Sequence, residues 1–128
     1  MSLSISKHIY AKLSASDSLK AFVSDRLYAI STKSETSFPF IIYKRSALSP
    51  AGSKDRESVT DSVTVDVIIA DEDHFRSVEI AELVRSAIEG KRGKYDTFDV
   101  NDCRLSAADE DFIEDTFIQR LTFSFETD

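Results

Sequence analysis

The amino-acid sequence predicts an α+β fold: a single antiparallel-rich β-sheet of about four to five strands with two helices packed on it. Three observations lead there. Val59, Val63, Val65, Val67 and Ile69 alternate with Thr60, Ser62, Thr64 and Asp66, the period of a strand with one buried and one wet face. Just beyond, Phe75, Val78, Ala81, Val84 and Ile88 recur at helical spacing. Along the chain the order is helix, short strand, strand, strand, helix, strand, strand. A length of 128 residues suits one domain over residues 1–128.

The first element reads as a helix, with Ile5, Ile9 and Leu13 at every fourth residue and Leu3 and Tyr10 widening the stripe. Ser14, Ser16 and Asp17 can end it and cap a short second turn in which Leu19, Phe22 and Val23 point one way. An extended piece from Arg26 to Ile30 follows, then a polar loop from Ser31 to Ser37. Phe38-Pro39-Phe40-Ile41-Ile42-Tyr43 is dense in aromatic and β-branched residues and reads as a strand. Pro39 has no N–H for a ladder, so it belongs at the strand's start or at an edge.

Ser46 to Ser58 contains Pro50 and Gly52 and has no apolar periodicity, so it reads as the longest loop of the chain. A loop of about a dozen residues exceeds the usual ~4–6 and often carries function. The strands before and after it are expected to form a long hairpin. Asp71, Glu72 and Asp73 then supply an N-cap and an acidic first turn for the main helix. Ile80, Leu83 and Ala87 broaden its stripe, Gly90 suits the residue after its end, and Lys91 and Arg92 suit the negative end of its dipole. A second hairpin closes the chain. Cys103, Leu105 and Ala107 alternate in one strand and Phe117, Leu121, Phe123 and Phe125 in the other, with the acidic stretch Asp109, Glu110, Asp111, Glu114 and Asp115 between them.

Composition narrows the function. The formal net charge is −7, against a protein that wraps phosphate backbones with clustered Lys and Arg. Cys103 is the only cysteine, so an internal disulfide and a thiolate metal cage are excluded. The polar start has no signal-peptide core, and no stretch approaches the ~20 apolar residues of a membrane helix, so the chain is read as soluble and intracellular, away from membranes. Counted from Asp71, a calcium loop would find acids at its first, third and twelfth places but Arg76 where a glycine must turn the chain, so capping is preferred. His8 and His74 have no nucleophile in a recognisable motif. Cys103, on the apolar parity of a strand, reads as a buried thiol. Lys91, Arg92 and Lys94 around Gly93 read as a solvated helix end. With three glycines there is no phosphate-cradling loop.

Asp25-Arg26-Leu27-Tyr28, followed by Phe38-Pro39-Phe40-Ile41-Ile42-Tyr43 and, near the end, Arg120-Leu121-Thr122-Phe123, resembles a known family. It is the tail-completion, head–tail joining family of long-tailed phages and prophages, similar to tail terminators. The resemblance covers roughly residues 5–126 and rests on the order and spacing of short motifs. It implies a structural virion protein that forms a homo-oligomeric ring, commonly hexameric, between the head connector and the tail tube. DNA passes through such a ring without specific binding. No enzyme activity, cofactor, metal or catalytic residue is implied, and the location would be the virion, with the host cytoplasm during assembly.

Asp25, Arg26, Tyr28, Arg120 and Phe123 are then motif residues with structural roles: Tyr28 packed under the sheet, Arg26 paired to an acid, Arg120 in a partly buried ion pair. Ring closure requires one patch to meet a different patch on the neighbour. The exposed edge of the Phe38–Tyr43 strand and the long loop are the interface candidates, through Phe38, Pro39, Ser49, Pro50, Gly52, Lys54 and Arg56. A hexamer would carry −42, six times the −7 of one chain, and acid on the channel wall would let DNA slide. The alternatives are an acidic protein-interaction inhibitor that mimics DNA, and a small ligand-binding domain with a deep polar pocket.

Overall fold

A computed structural model describes residues 2–31, 36–52 and 59–128. Its sheet is built from β1 (Leu27–Ala29), β2 (Phe40–Gly52), β3 (Val59–Asp71), β4 (Gly93–Lys94), β5 (Asp99–Ile113) and β6 (Thr116–Thr127). The strand order is β1-β2-β3-β6-β5-β4. All neighbours run antiparallel except β1, which lies parallel to β2 over Leu27↔Ile41 to Ala29↔Tyr43. The helices are α1 (Ser6–Ser14), α2 (Asp17–Val23) and α3 (His74–Ile88), after a 3-10 turn at Ser2–Ser4. The α+β class stands, with six strands and three helices in place of the four to five strands and two helices expected. β4 has two residues, too few to show a period, and α2 is split from α1 only by Ala15 and Ser16.

Local chemistry explains the elements. The Ser16 hydroxyl accepts the Leu19 N–H and starts α2, and the Asp73 carboxylate accepts the Arg76 N–H and starts α3. Gly90 ends the α3 region at φ +76°, where a side chain would be strained, and its N–H reaches the Cys103 carbonyl. The period of two in β3 buries Val63, Val65, Val67 and Ile69. Across the sheet Val63 meets Phe125, Val65 meets Phe123 and Val67 meets Leu121 on β6, while Ile69 meets Ile41 on β2. Ile80, Ala81, Val84 and Ile88 of α3, Ile9 and Leu13 of α1 and Ile5 just before α1 cover this face, and one continuous core results. α3 touches β3, β5 and β6, and α1 touches β1 and β2.

Two sequence expectations are corrected. Residues 46–52 are not loop: they continue β2 in register with β3, from Ala47↔Thr64 to Gly52↔Val59. The segment from Lys44 to Pro50 is exposed apart from half-buried Leu48, so no apolar period marks it, and backbone pairing with β3 alone makes it a strand. The remainder of that expected loop, 53–58, lies outside the described residues. Likewise Asp109 to Ile113 are not a connection but the last third of β5, paired from Asp109↔Arg120 to Ile113↔Thr116. Only Glu114 and Asp115 form the turn, and both have positive φ.

The long outer strands bend at bulges. The register shifts between Arg45 and Ala47 in β2 and between Leu105 and Ala107 in β5. At each shift the extra residue is a serine whose hydroxyl donates to a carbonyl of the adjacent inner strand: Ser46 to Thr64 at 3.2 Å, Ser106 to Thr122 at 3.1 Å. The bulges are thereby held by side chains where the ladder is interrupted.

Candidate interaction surfaces

The helices leave one face of the sheet uncovered. By strand alternation and register this face carries rows such as Lys44↔Asp66↔Thr122 and Asp109↔Arg120. Thr122 donates to the Asp66 carboxylate at 2.8 Å, and Arg120 pairs with Asp109 at 3.0 Å. The ion pair expected for Arg120 is therefore present, on a half-exposed guanidinium. Further along, Ser62, Thr64, Asp102, Arg104, Ser124 and Glu126 line a shallow hollow of about 110 Å³. Acids outnumber bases here, since Asp66, Asp102, Asp109 and Glu126 stand against Lys44, Arg104 and Arg120.

The motif residues at the other end join α2 to the sheet. Arg26 does not meet an acid as expected. Its Nε donates to the Pro39 carbonyl at 2.9 Å and its Nη2 to the Phe22 carbonyl at 3.0 Å. A guanidinium fits this task because its planar fork reaches two backbone acceptors at once. Tyr28 packs edge-on against Phe40 and its hydroxyl lies 2.8 Å from the Thr36 hydroxyl. Asp25 is exposed, whereas Phe123 is fully buried.

The interface candidates are dispersed. Phe38 is half-buried and stacks on Phe40, and Pro39 is buried just before β2. The edge of this strand is not open at Ile41 to Tyr43, because β1 covers it there. The open edge of β2 begins at Lys44 and runs through exposed Ser49 and Pro50 to Gly52. That is where a proline without an N–H is tolerated. Lys54 and Arg56 lie outside the described residues.

At the start of α3 the geometry is denser. Asp71 is fully buried and its carboxylate is held by Arg76 through two hydrogen bonds, Nε–Oδ2 at 2.7 Å and Nη2–Oδ1 at 2.6 Å. The residue that broke the calcium pattern thus occupies the oxygens a cation would need. Beside it, His74 Nε2 lies 3.0 Å from Glu110 Oε1, and the Gln119 amide donates to the same oxygen at 2.9 Å. These contacts hold the Glu110 carboxyl below the usual carboxylate range, the Gln119 bond first and the His74 bond second.

His74 also meets the edges of Phe75 and Phe117, and Phe117 packs on Phe112 with ring centres 4.7 Å apart. Phe75 was expected in the buried stripe of α3 but is 84% exposed. At ~100° per residue it stands about 140° from Ile80, which the spacing alone could have revealed.

Nothing in these groups makes a reactive centre. Burial, with the charge of Lys12 adding to it, lowers the His8 pKa to about 4. Its Nδ1 lies 2.8 Å from the Tyr95 hydroxyl and its ring meets Tyr95 and Phe125 edge-on, so it packs as a core residue. Burial pushes the Cys103 thiol up to about 12, far from a thiolate nucleophile at neutral pH. Among the described residues no group of three or more His, Cys, Asp or Glu is placed to hold a metal ion, and no helix is long and apolar enough to cross a membrane.

The described residues thus form a mixed sheet covered by helices on one face. A family model described as "Tail completion protein gp17" matches residues 7–127. The chain belongs to this tail-completion family. The resemblance carried by Asp25 to Tyr28, Phe38 to Tyr43 and Arg120 to Phe123 is thereby confirmed over nearly the whole chain. As a tail-completion protein it is a structural component of phage head–tail assembly. No curated protein matches it. Among solved structures it is similar to a chain of the "Virion of native gene transfer agent (GTA) particle", with a TM-score of 0.78 and 15% identity over 93% of this chain and 90% of that one. At that identity the likeness establishes a shared fold.

Proposed function

We propose that this tail-completion protein acts as one single-domain subunit, over residues 1–128, of a closed homo-oligomeric ring at the head–tail junction, commonly a hexamer. In this reading it resides in the virion and assembles in the host cytoplasm. It contacts the head connector on one side and the tail tube on the other, and it performs no catalysis. The observation that carries the reading is the family match over residues 7–127, supported by the fold shared with a chain of a virion particle.

The uncovered sheet face is the surface we assign to the DNA passage. Acids exceed bases on it, with Asp66 and Asp109 bonded to Thr122 and Arg120, so phosphates meet no array of free cations on which to stick. With six copies the formal charge is −42, six times −7.

The test is assembly in vitro. Heads and tails prepared without this protein are mixed with the purified chain, and joined particles are counted by electron microscopy. Joining, with a ring visible at the junction, is the expected result. A chain that leaves heads and tails apart, stays monomeric and competes with DNA for a nucleic-acid-binding protein would instead be the DNA-mimic inhibitor.

A further inference from the structure

Among the described residues, six large hydrophobic side chains are exposed, and they fall into two groups of opposite electrostatic setting. Phe75 at 84%, Phe112 at 53% and Ile113 at 51% gather where α3 begins and the β5–β6 turn ends. Phe75 and Phe112 are tied together there through His74 and Phe117. Around them stand Glu72, Asp111, Glu114 and Asp115, all exposed and none in an ion pair with a described cation. This group is a projecting apolar knob with an acidic rim.

The second group lies across the sheet, at its β1–β2 edge. Leu3 at 53% and Ile30 at 69% flank a cavity of about 250 Å³ floored by Ile5, Tyr43 and Val65. Tyr10, 48% exposed, stands near enough to Tyr43 to raise the pKa of its phenol, after burial as the main cause. Ile30 is held at φ +71°, a costly conformation for a β-branched residue, and it presents its side chain to solvent. Lys44 and Arg45 form the rim, and neither is in an ion pair with a described carboxylate; Arg45 donates to the Leu3 carbonyl. This group is an apolar socket with a basic rim.

We propose that the knob of one copy docks into the socket of the next copy of this chain. The proposal rests on the ring reading and assigns its contact surfaces. The occupant follows from charge complementarity. Knob against knob or socket against socket would set like charges together across a desolvated contact, whereas knob against socket pairs acids with bases around an apolar centre. Such a contact joins two different patches, the heterologous kind that closes rings. The two patches lie far apart on the subunit, the socket at the β1–β2 edge and the knob at the β5–β6 turn, so one copy can offer both at once.

The experiment uses two double variants of the full chain. F75S/F112S removes the knob, and I30N/K44E disables the socket, with asparagine chosen because it tolerates positive φ. Circular dichroism first establishes that both fold. Self-association is then measured by light scattering and native mass spectrometry up to millimolar chain. Each variant alone is expected to associate at least ~30-fold more weakly than the wild type. An equimolar mixture is expected to give a one-to-one dimer and nothing larger, because only one working knob and one working socket remain. If either double variant unfolds, D111K and K44E replace it. Each reversal alone then weakens association and the two together restore it. Variants that form the same oligomers as the wild type would overturn the knob–socket contact and leave the ring standing. A wild type and a mixture that both remain monomeric to millimolar concentration would overturn ring and contact together.

Discussion

Arg76 clamps the fully buried carboxylate of Asp71 from five residues further along, with Nε at 2.7 Å and Nη2 at 2.6 Å. The Glu72 N–H donates to the same carboxylate at 2.7 Å, and the Asp73 N–H at 3.3 Å, so one side chain organises the turn from β3 into α3. Arg76→Ala would leave a buried negative charge without its counter-ion. The expected loss is about 2–3 kcal/mol, below the ~3–5 of a wholly buried pair because the Arg76 side chain is 39% exposed. Urea denaturation at neutral pH measures it. Arg76→Lys should recover only part of it, since an ammonium cannot supply the planar fork.

His8 sets a pH dependence with a definite sign. Its pKa is about 4 in the fold against the ordinary 6.5, so below pH 6.5 the unfolded chain binds a proton the folded chain refuses. The contribution of the neutral, buried ring is fully present above pH 6.5 and is lost as pH falls to about 4. The loss is on the order of 3 kcal/mol. Carboxylates also titrate near the lower end, so the useful quantity is the difference between wild type and His8→Leu. The stability of the wild type relative to His8→Leu should fall as the pH drops from 7.5 to 4.5, and parallel curves would rule the effect out.

Cys103 should be silent to thiol reagents in the native state. It is 2% exposed and its thiol is pushed up to about 12. A chromogenic disulfide at pH 7.5 is expected to react only at the rate of opening of the fold, and to react fully in denaturant. Prompt native reaction would mean that the β5 region opens locally.

Two phenylalanines should behave oppositely. Phe123 is fully buried between Val65 and Leu105 in the register of the sheet, so Phe123→Ala should cost about 3–5 kcal/mol. Phe75 is 84% exposed, so Phe75→Ser should change monomer stability by less than about 0.5 kcal/mol. Thermal melting at low protein concentration compares them. A large loss for Phe75→Ser would place that ring in the core after all.

The strand β3 and the helix α3 were legible because burial on one side imposes a period, and a period can be counted. The same logic failed for residues 46–52 and 109–113. Both are strand, but the side chains of 46–50 and 109–113 are almost all exposed, so pairing is decided by backbone groups that sequence does not display. Phe75 shows the converse error: an apolar residue near a stripe was assigned to it although its angle on the helix points elsewhere. Caps were readable at Ser16, Asp73 and Gly90 because each demands a particular residue type. The Asp71–Arg76 clamp was not, since no helical or strand period links residues five apart. The knob and the socket each gather residues from separate elements, and only the fold brings Ile30 beside Leu3 or Phe75 near Phe112.

The strand order also dictates a schedule. β6 is the last strand in the sequence yet lies at the sheet's centre, bonded to β3 on one side and β5 on the other. During synthesis, the β2–β3 hairpin and the helices can gather early, but their apolar face has no mate until residues 116–127 leave the ribosome. The β3–β6 seam must close a loop of dozens of residues, a slow step compared with either hairpin. A nascent chain therefore exposes the edge of β3 until residues 116–127 have been made. Under the proposed ring reading, a chain that lacks residues 116–127 has an open β3 edge in place of a closed sheet and is kept out of the assembly.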